Sequence, residues 1–300
     1  MYVVLGATGN VGSEIVKKLL AKGEKVRAVA RDPRKLNLLA DGGAEAFPAD
    51  VNDDAALVRA MMGARAAFVL IPPSITSTDY AEDQERIGSS IAAALEESKV
   101  QYAVSLSSVG AHAPSGTGPI AGLHRFEEKL NAIAALNVLH VRAAYFMENT
   151  LEGINMIKSI GMIAGAMRPD LMIPMIASRD IGDYAAERLL QLDFAGKQTR
   201  ELLGERDLSM NGVTAIIGRA IEKPELRYMQ MPYEQLEQAL IQMGVPPKTA
   251  SFYVELYQGV NDGIVVNLEP RSENNTTATT FEQFVSEVFV PAFRAKAAAA

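Results

Sequence analysis

The sequence predicts an α/β fold, a doubly wound parallel sheet with a smaller, mainly helical C-terminal lobe. Three observations carry that expectation. The chain opens Met1-Tyr2-Val3-Val4-Leu5, an apolar run that ends in glycines spaced G-x-x-G-x-x-G at Gly6, Gly9 and Gly12. The next residues are apolar at 11, 15, 16, 19 and 20, which is helical spacing. Short apolar runs then alternate with helical stretches over roughly the first 140 residues, the pattern that builds a parallel sheet covered on both faces.

Each part of the opening has a physical reason. Gly6 permits a tight strand exit, Gly9 lets backbone approach a ligand, and Gly12 lets the helix pack close to the strand. The helix start offers free N–H groups and a positive dipole end, which suit a pyrophosphate. Strand, glycine turn and helix together are the Rossmann fingerprint, and they make Gly6, Thr8, Gly9, Asn10, Val11 and Gly12 cofactor-binding candidates.

Lys25 to Ala30 reads as the second strand and ends at Arg31-Asp32-Pro33-Arg34-Lys35. An acid at this strand end pairs with a ribose 2′-hydroxyl, and a base suits a 2′-phosphate. Arg31 and Lys35 therefore point to NADP(H) over NAD(H). Asp32 precedes Pro33 and can equally cap the next helix. Ala44 to Asp50 is a third strand, and Asp50 either reaches the adenine side or caps the helix Asp53 to Met62. Ala66 to Ile71 is a continuous apolar run, as in a strand buried on both faces. It stops at Pro72, which puts Ile71 and Pro72 at the same sheet edge as Gly6. Tyr80 to Ser98 has helical periodicity. Tyr102 to Ser108 is a fifth strand ending in two hydroxyls, Ser107 and Ser108, and Val138 to Arg142 is a sixth.

After Ala144 the pattern changes. Tyr145-Phe146-Met147-Glu148-Asn149 leads into a methionine-rich stretch, Met156 to Met175, that either lines a pocket or fills core. Asp180 to Leu190 reads as a capped helix. Leu208 to Ile221, Pro232 to Met243, Lys248 to Gly259 and Phe281 to Phe289 read as further helices. No linker interrupts the chain. The expected organisation is a dinucleotide-binding domain over 1–150, a substrate-pocket lobe over 151–296 interleaved with it, and a disordered tail over 297–300.

Composition narrows the chemistry. The net charge of -7 argues against a surface built for nucleic acid. The absence of cysteine excludes disulfides and thiolate metal sites, and no His/Asp/Glu spacing resembles a metal centre. No Gly-x-Ser-x-Gly elbow is present, and Gly196-Lys197 lacks phosphate-loop spacing. The apolar runs are too short to span a membrane, and the chain starts directly in a strand, so a cytoplasmic protein is expected.

The GATGNVG opening, Arg31, the Ser107-Ser108 strand end and Tyr145 to Asn149, taken with His124-Arg125-Phe126-Glu127-Glu128-Lys129-Leu130, resemble the NmrA-like family. That family belongs to the atypical short-chain dehydrogenase/reductase superfamily. The similarity runs over essentially the whole chain, including Asp180-Ile181-Gly182. Members resembling this sequence include NADPH-dependent quinone reductases, triphenylmethane-dye reductases and redox-sensing regulators. The resemblance implies a bound NADP(H), and a pocket lined by Tyr145 and Asn149.

It also exposes a departure. Catalytic short-chain dehydrogenases carry Tyr-x-x-x-Lys at the start of the helix after the fifth strand. Here Ile120 stands where the tyrosine would be and His124 where the lysine would be. Isoleucine cannot exchange a proton. His124 is then a candidate for the cofactor ribose and for catalysis, and Tyr145 is the remaining phenol for proton donation. Ser107 is assigned to the cofactor, either Ser107 or Ser108 can meet a substrate carbonyl, Ser108 can equally bond within its own turn, and Asn149 is assigned to substrate. His112 and His140 read as surface and strand residues.

Two functions follow. One is an oxidoreductase that moves hydride from NADPH to a quinone-like or conjugated small-molecule acceptor without the usual Tyr-x-x-x-Lys. The alternative is a non-catalytic NADP(H)-binding redox sensor that regulates a partner protein. Neither a nucleic acid nor a membrane is an expected partner, and a homodimer, the acceptor's identity and a role for flavin stay open.

Overall fold

Tyr2, Val3, Val4 and Leu5 are all buried, and this is why the chain begins with an unbroken apolar run. Strand β1 (Tyr2–Leu5) lies mid-sheet with helices on both sides. The computed structural model describes residues 1–295, and the tail expected over 297–300 lies outside them. Strands β2 (Val26–Ala30), β3 (Glu45–Pro48), β4 (Ala66–Val69), β5 (Tyr102–Ser108) and β6 (Asn137–Ala143) follow. Helices α1 (Asn10–Ala21), α2 (Pro33–Asp41), α3 (Asp54–Met61), α4 (Tyr80–Glu97) and α5 (Ile120–Ala132) connect them. Three short strands, β7 (Tyr145–Phe146), β8 (Ile163–Gly165) and β9 (Ile173–Ile176), leave the sheet, with α6 (Gly153–Ile160) among them. After α7 (Ser178–Gln191), β10 (Lys197–Leu202) returns to the sheet edge.

The strand order is β10-β6-β5-β4-β1-β2-β3, and every pairing is parallel. The winding reverses between β1 and β4, so a crevice opens beyond their C-terminal ends, where ligands bind in folds of this kind. Val4, Ile15, Val16, Phe68 and Ile181 form the core on the face covered by α1 and α7. Val3, Leu5, Leu57, Ile91 and Phe126 form the core under α3, α4 and α5.

The lobe adds β11 (Asp207–Leu208), α8 (Met210–Ala220), β12 (Tyr228–Gln230), α9 (Tyr233–Gln242) and α10 (Pro247–Asn261). Its own core gathers Met147, Met175, Phe281, Phe284 and Phe289. The last helix starts as α11 (Phe281–Phe284), passes through a π turn at Val285–Phe289 and continues as α12 (Val290–Arg294). Pro291 has no N–H for the ordinary ladder, which fits the wider turn there.

Several local expectations change. The fourth strand ends at Val69, and Leu70 tucks its side chain under Gly6. Asp180 does not cap α7. Its carboxylate accepts from the Thr279 N–H and hydroxyl, while Glu148, from a distant segment, holds the Ser178 N–H at 3.0 Å. Asp50 does not cap α3 either. Asp53 accepts from the Ala56 N–H, and Asp50 closes a local turn on Asn52. Of the methionines, Met167 and Met175 are core, whereas Met172 is 56% exposed.

Candidate functional site

The site is built at the C-terminal edge of the sheet. Its nucleotide end is backbone. Gly6 has φ +62°, a conformation that L side chains rarely adopt, and it turns the chain out of β1. A Cβ at Gly12 would run into the Gly6 carbonyl, so only glycine lets α1 start this close to the turn. Gly9 is the N-cap of α1 and supplies no side-chain cap, so the first N–H groups of α1, around Asn10, Val11 and Gly12, have no side-chain acceptor. Gly9 and Asn10 are exposed and Thr8 is half-buried beside them, whereas Val11 turns its side chain into the core. An uncapped N-terminus facing solvent beside an exposed glycine fits a pyrophosphate.

Arg31 stands exposed at the end of β2, with Arg34 and Lys35 exposed behind it. Asp32 is committed elsewhere: it caps α2 through the Arg34 N–H at 2.9 Å. The strand end therefore presents cations with its one nearby carboxylate engaged. Ile71 is buried against α4 and Pro72 is half-buried at the crevice, so Ile71 has only backbone to offer a ligand.

The floor near β5 is polar. Ser107 is 5% exposed and donates its hydroxyl proton to Glu127 Oε1 at 2.6 Å. Glu127 is clamped by Arg142, which donates from Nε at 3.0 Å and from Nη2 at 2.6 Å. Register explains the meeting, since Ser107 and Glu201 flank Arg142 on adjacent strands and Glu127 comes from α5 above them. Toward a ligand the Ser107 oxygen can then only accept. Ser108 takes the local option and donates to the Val109 carbonyl at 2.9 Å. His124 Nδ1 donates to the Ala111 carbonyl at 2.8 Å, and its Nε2 lies 3.6 Å from Glu128. Ile120 is buried in the same helix face. His140 is a buried strand residue whose Nε2 meets Asn131, and burial pushes its pKa down to about 4.

The far side of the same sheet edge is aromatic. Helix α10 lies across the loops that leave β4 and β5. Thr249 donates to the Ser77 carbonyl at 2.6 Å, Lys248 pairs with Asp79, and Tyr253 meets Tyr80 edge-on at 5.9 Å. Gly118 leaves just enough room for α10, because a Cβ there would strike the Phe252 carbonyl. Tyr145 and Tyr257 pack against the lobe core. Burial, then the charge of neighbouring groups, holds the Tyr145 phenol well above its ordinary pKa, and Tyr257 is pushed up to about 12. Asn149 is exposed beside Tyr145 and opposes its shift. Such a phenol is a weak acid that can still donate a hydrogen bond.

Sequence reasoning missed Glu127, Arg142, Tyr253 and Tyr257. The one available signal was the spacing of Tyr253 and Tyr257, four apart on a helix face. Among the described residues, no group of three His, Cys, Asp or Glu side chains could hold a metal ion, and no helix is long and apolar enough to cross a membrane.

A doubly wound sheet with an uncapped glycine turn at its switch point defines a Rossmann-type protein. The chain belongs to the NmrA-like family, whose profile matches residues 2–285. It is 29% identical over 252 residues to the (4-alkanoyl-5-oxo-2,5-dihydrofuran-3-yl)methyl phosphate reductase of Streptomyces griseus, covering 84% of each chain. It is 26% identical over 259 residues to the NAD(P)H azoreductase of Xenophilus azovorans, covering 86% of each. Its fold superposes on the NADPH-dependent quinone oxidoreductase of Escherichia coli in complex with NADPH, with a TM-score of 0.80 and 21% identity, over 96% of this chain and all of that one.

Proposed function

We propose that this protein is an NADPH-dependent reductase that delivers hydride to a conjugated small-molecule acceptor. The observation that carries the reading is the uncapped start of α1 beside exposed Arg31, on the sheet edge over which α10 packs Tyr253 against Tyr80. The N–H groups around Asn10, Val11 and Gly12 would hold the pyrophosphate, Arg31 and Lys35 the 2′-phosphate, and Asp50 the adenine side. Ser107, fixed by Glu127, would accept a hydrogen bond from the nicotinamide carboxamide, and His124 would face the ribose with Nε2. When bound, NADPH supplies the hydride.

No side chain at this edge reproduces the missing tyrosine. Ile120 cannot move a proton, and the raised pKa of Tyr145 makes it a poor acid. Tyr145 and Asn149 then serve to orient the acceptor, and Ser108 reaches a ligand only by giving up its turn. A conjugated acceptor tolerates this, because it delocalises the arriving charge and takes any proton from water. The reductase names of the relatives support the reading.

The test is saturable oxidation of NADPH with a panel of quinones and dyes. Turnover is expected. Tight NADPH binding with no oxidation across the panel would instead favour the redox sensor acting on a partner protein, the reading that the Ile120 substitution favours.

A further inference from the structure

Glu148 spans a gap that side chains do not close. Strand β7 pairs with β9 in parallel, Tyr145 beside Met175 and Phe146 beside Ile176. Carrying that register two residues on sets Glu148, in the 3-10 turn Met147–Glu152, level with Ser178, the first residue of α7. The Glu148 carboxylate accepts from the Ser178 N–H at 3.0 and 3.2 Å and also from the Ser178 hydroxyl. Ala177, the N-cap residue, has no side-chain acceptor of its own, so Glu148 supplies the cap and sits at the positive end of the helix. The charged residues of the first turn of α7 face elsewhere, Arg179 to Glu287 and Asp180 to Thr279. Helix α7 is in turn seated on α1, because a Cβ at Gly182 would meet Glu14 Cβ at 2.6 Å and the Val11 carbonyl at 3.1 Å. Between the 3-10 turn and α1 lies a cavity of about 290 Å³, lined by Asn10, Ser13, Glu148, Leu151, Ser178 and Phe284.

We propose that Glu148 is a positioning residue: its bond to α7 sets the separation between the start of α1, which holds the pyrophosphate, and Tyr145 and Asn149, which orient the acceptor. This rests on the reductase reading and adds a residue to it. Packing alone does not set that separation, because the cavity parts the 3-10 turn from the first turn of α1. Two firm contacts take its place, Glu148 on Ser178 and Gly182 on Val11 and Glu14. A hydride moves only between carbons held close and aligned. A small drift of the segment that carries Tyr145 and Asn149 therefore slows the chemical step more than it weakens binding of the dinucleotide.

Capping and positioning are separable. Glu148→Ala loses both. Ala177→Ser returns a local cap to α7, since Ala177 already has the extended backbone of an N-cap residue, but it leaves the 3-10 turn untied. Glu148→Gln keeps an oxygen for the Ser178 N–H and gives up the charge at the helix end.

The experiment compares wild type, Glu148→Ala, Glu148→Gln and the double variant Glu148→Ala with Ala177→Ser. Melting temperature and equilibrium binding of NADPH are measured beside the reduction of menadione, with NADPH and with NADPH deuterated at the transferred C4 position. Binding of menadione to the NADP+ complex is measured without turnover. Glu148→Ala should lower the melting temperature, lower kcat about tenfold, raise the isotope effect and raise the menadione Kd, with the NADPH Kd within about twofold of wild type. The double variant should recover melting temperature and keep the low kcat and the raised isotope effect. Glu148→Gln should do the reverse, recovering most of kcat at a lowered melting temperature. A kcat that follows melting temperature across the variants makes Glu148 a helix cap and overturns the proposal, and so does an unchanged kcat in folded Glu148→Ala. If wild type reduces no acceptor, the reductase reading falls and the menadione Kd decides: an equal Kd in wild type and the double variant, or no binding to either, overturns the positioning role, and a raised Kd in the double variant supports it.

Discussion

The two ends of the crevice are built from different material. The nucleotide end is backbone: Gly6, Gly9 and Gly12 shape it, and α1 offers its own N–H groups. The opposite end is side chain: Tyr80 comes from α4, Tyr145 from β7, and Tyr253 and Tyr257 from α10. Backbone geometry recognises what every dinucleotide shares. Side chains brought from three segments can be exchanged one at a time without disturbing that geometry. The first end therefore states the class of ligand, and in the reductase proposed above the second end would set which acceptor it meets.

Between the two ends lies the buried layer under α5, and it is where the contrast breaks most easily. Glu127 and Arg142 have side chains only 6% and 13% exposed. Replacing Glu127 by Ala leaves the guanidinium buried without its partner, and should cost about 3–5 kcal/mol of stability in urea titration. The paired replacement Glu127→Leu with Arg142→Met should restore most of that stability. It also releases the Ser107 hydroxyl, so NADPH affinity should fall in the refolded double variant. A double variant with unchanged NADPH affinity would make the pair purely structural.

The same layer makes the fold acid-sensitive. His140 is held neutral by burial, with a pKa of about 4 against an ordinary value of about 6.5. The unfolded chain therefore takes up this proton first as pH falls. Stability from this group is complete above about pH 6.5 and is lost toward pH 4, by up to about 3 kcal/mol. Denaturation midpoints at pH 7 and pH 4.5 should differ less in His140→Gln than in the wild type. An equal difference in both proteins would assign the acid loss to carboxylates.

What was legible in the sequence follows the same division. The glycine turn and Arg31 lie on one strand–helix–strand unit, so spacing alone carries their geometry. Asp32 was ambiguous because capping and ribose binding use the same residue type, and the hydrogen bond to Arg34 resolved it. Asp180 looked like a cap because a carboxylate at a helix start usually is one, yet a threonine about 100 residues away claimed it. The Ser107–Glu127–Arg142 contact depends on strand register, and the tyrosine wall depends on α10 crossing the sheet edge. The first leaves no periodicity in the chain, and the second leaves only the four-residue spacing of Tyr253 and Tyr257.

At the nucleotide end, Gly12→Ala is the sharpest intervention. The added methyl must displace the Gly6 carbonyl, which is backbone and cannot rotate aside. A loss of about 1–3 kcal/mol in stability is expected, with NADPH and NADH binding weakened together. The aromatic end should be untouched, so binding of a quinone or dye to the free protein should persist. Loss of dye binding in a folded Gly12→Ala protein would mean that the two ends are not independent.

The mildest change tests the finest distinction. Arg31 is exposed, so its contribution is screened by solvent and should not register in stability. It should register in affinity, because a guanidinium on a phosphate makes charge-assisted hydrogen bonds that a ribose hydroxyl cannot replace. Arg31→Ala is expected to weaken NADPH about tenfold while leaving NADH nearly unchanged. Raising ionic strength should shrink the difference, since the contact faces solvent. Lys35→Ala should act in the same direction and more weakly, because an ammonium on a flexible stem holds a phosphate less rigidly than the guanidinium fork. If both cofactors weaken equally, Arg31 grips the part they share, and the cationic strand end belongs with the pyrophosphate and not with the 2′-phosphate.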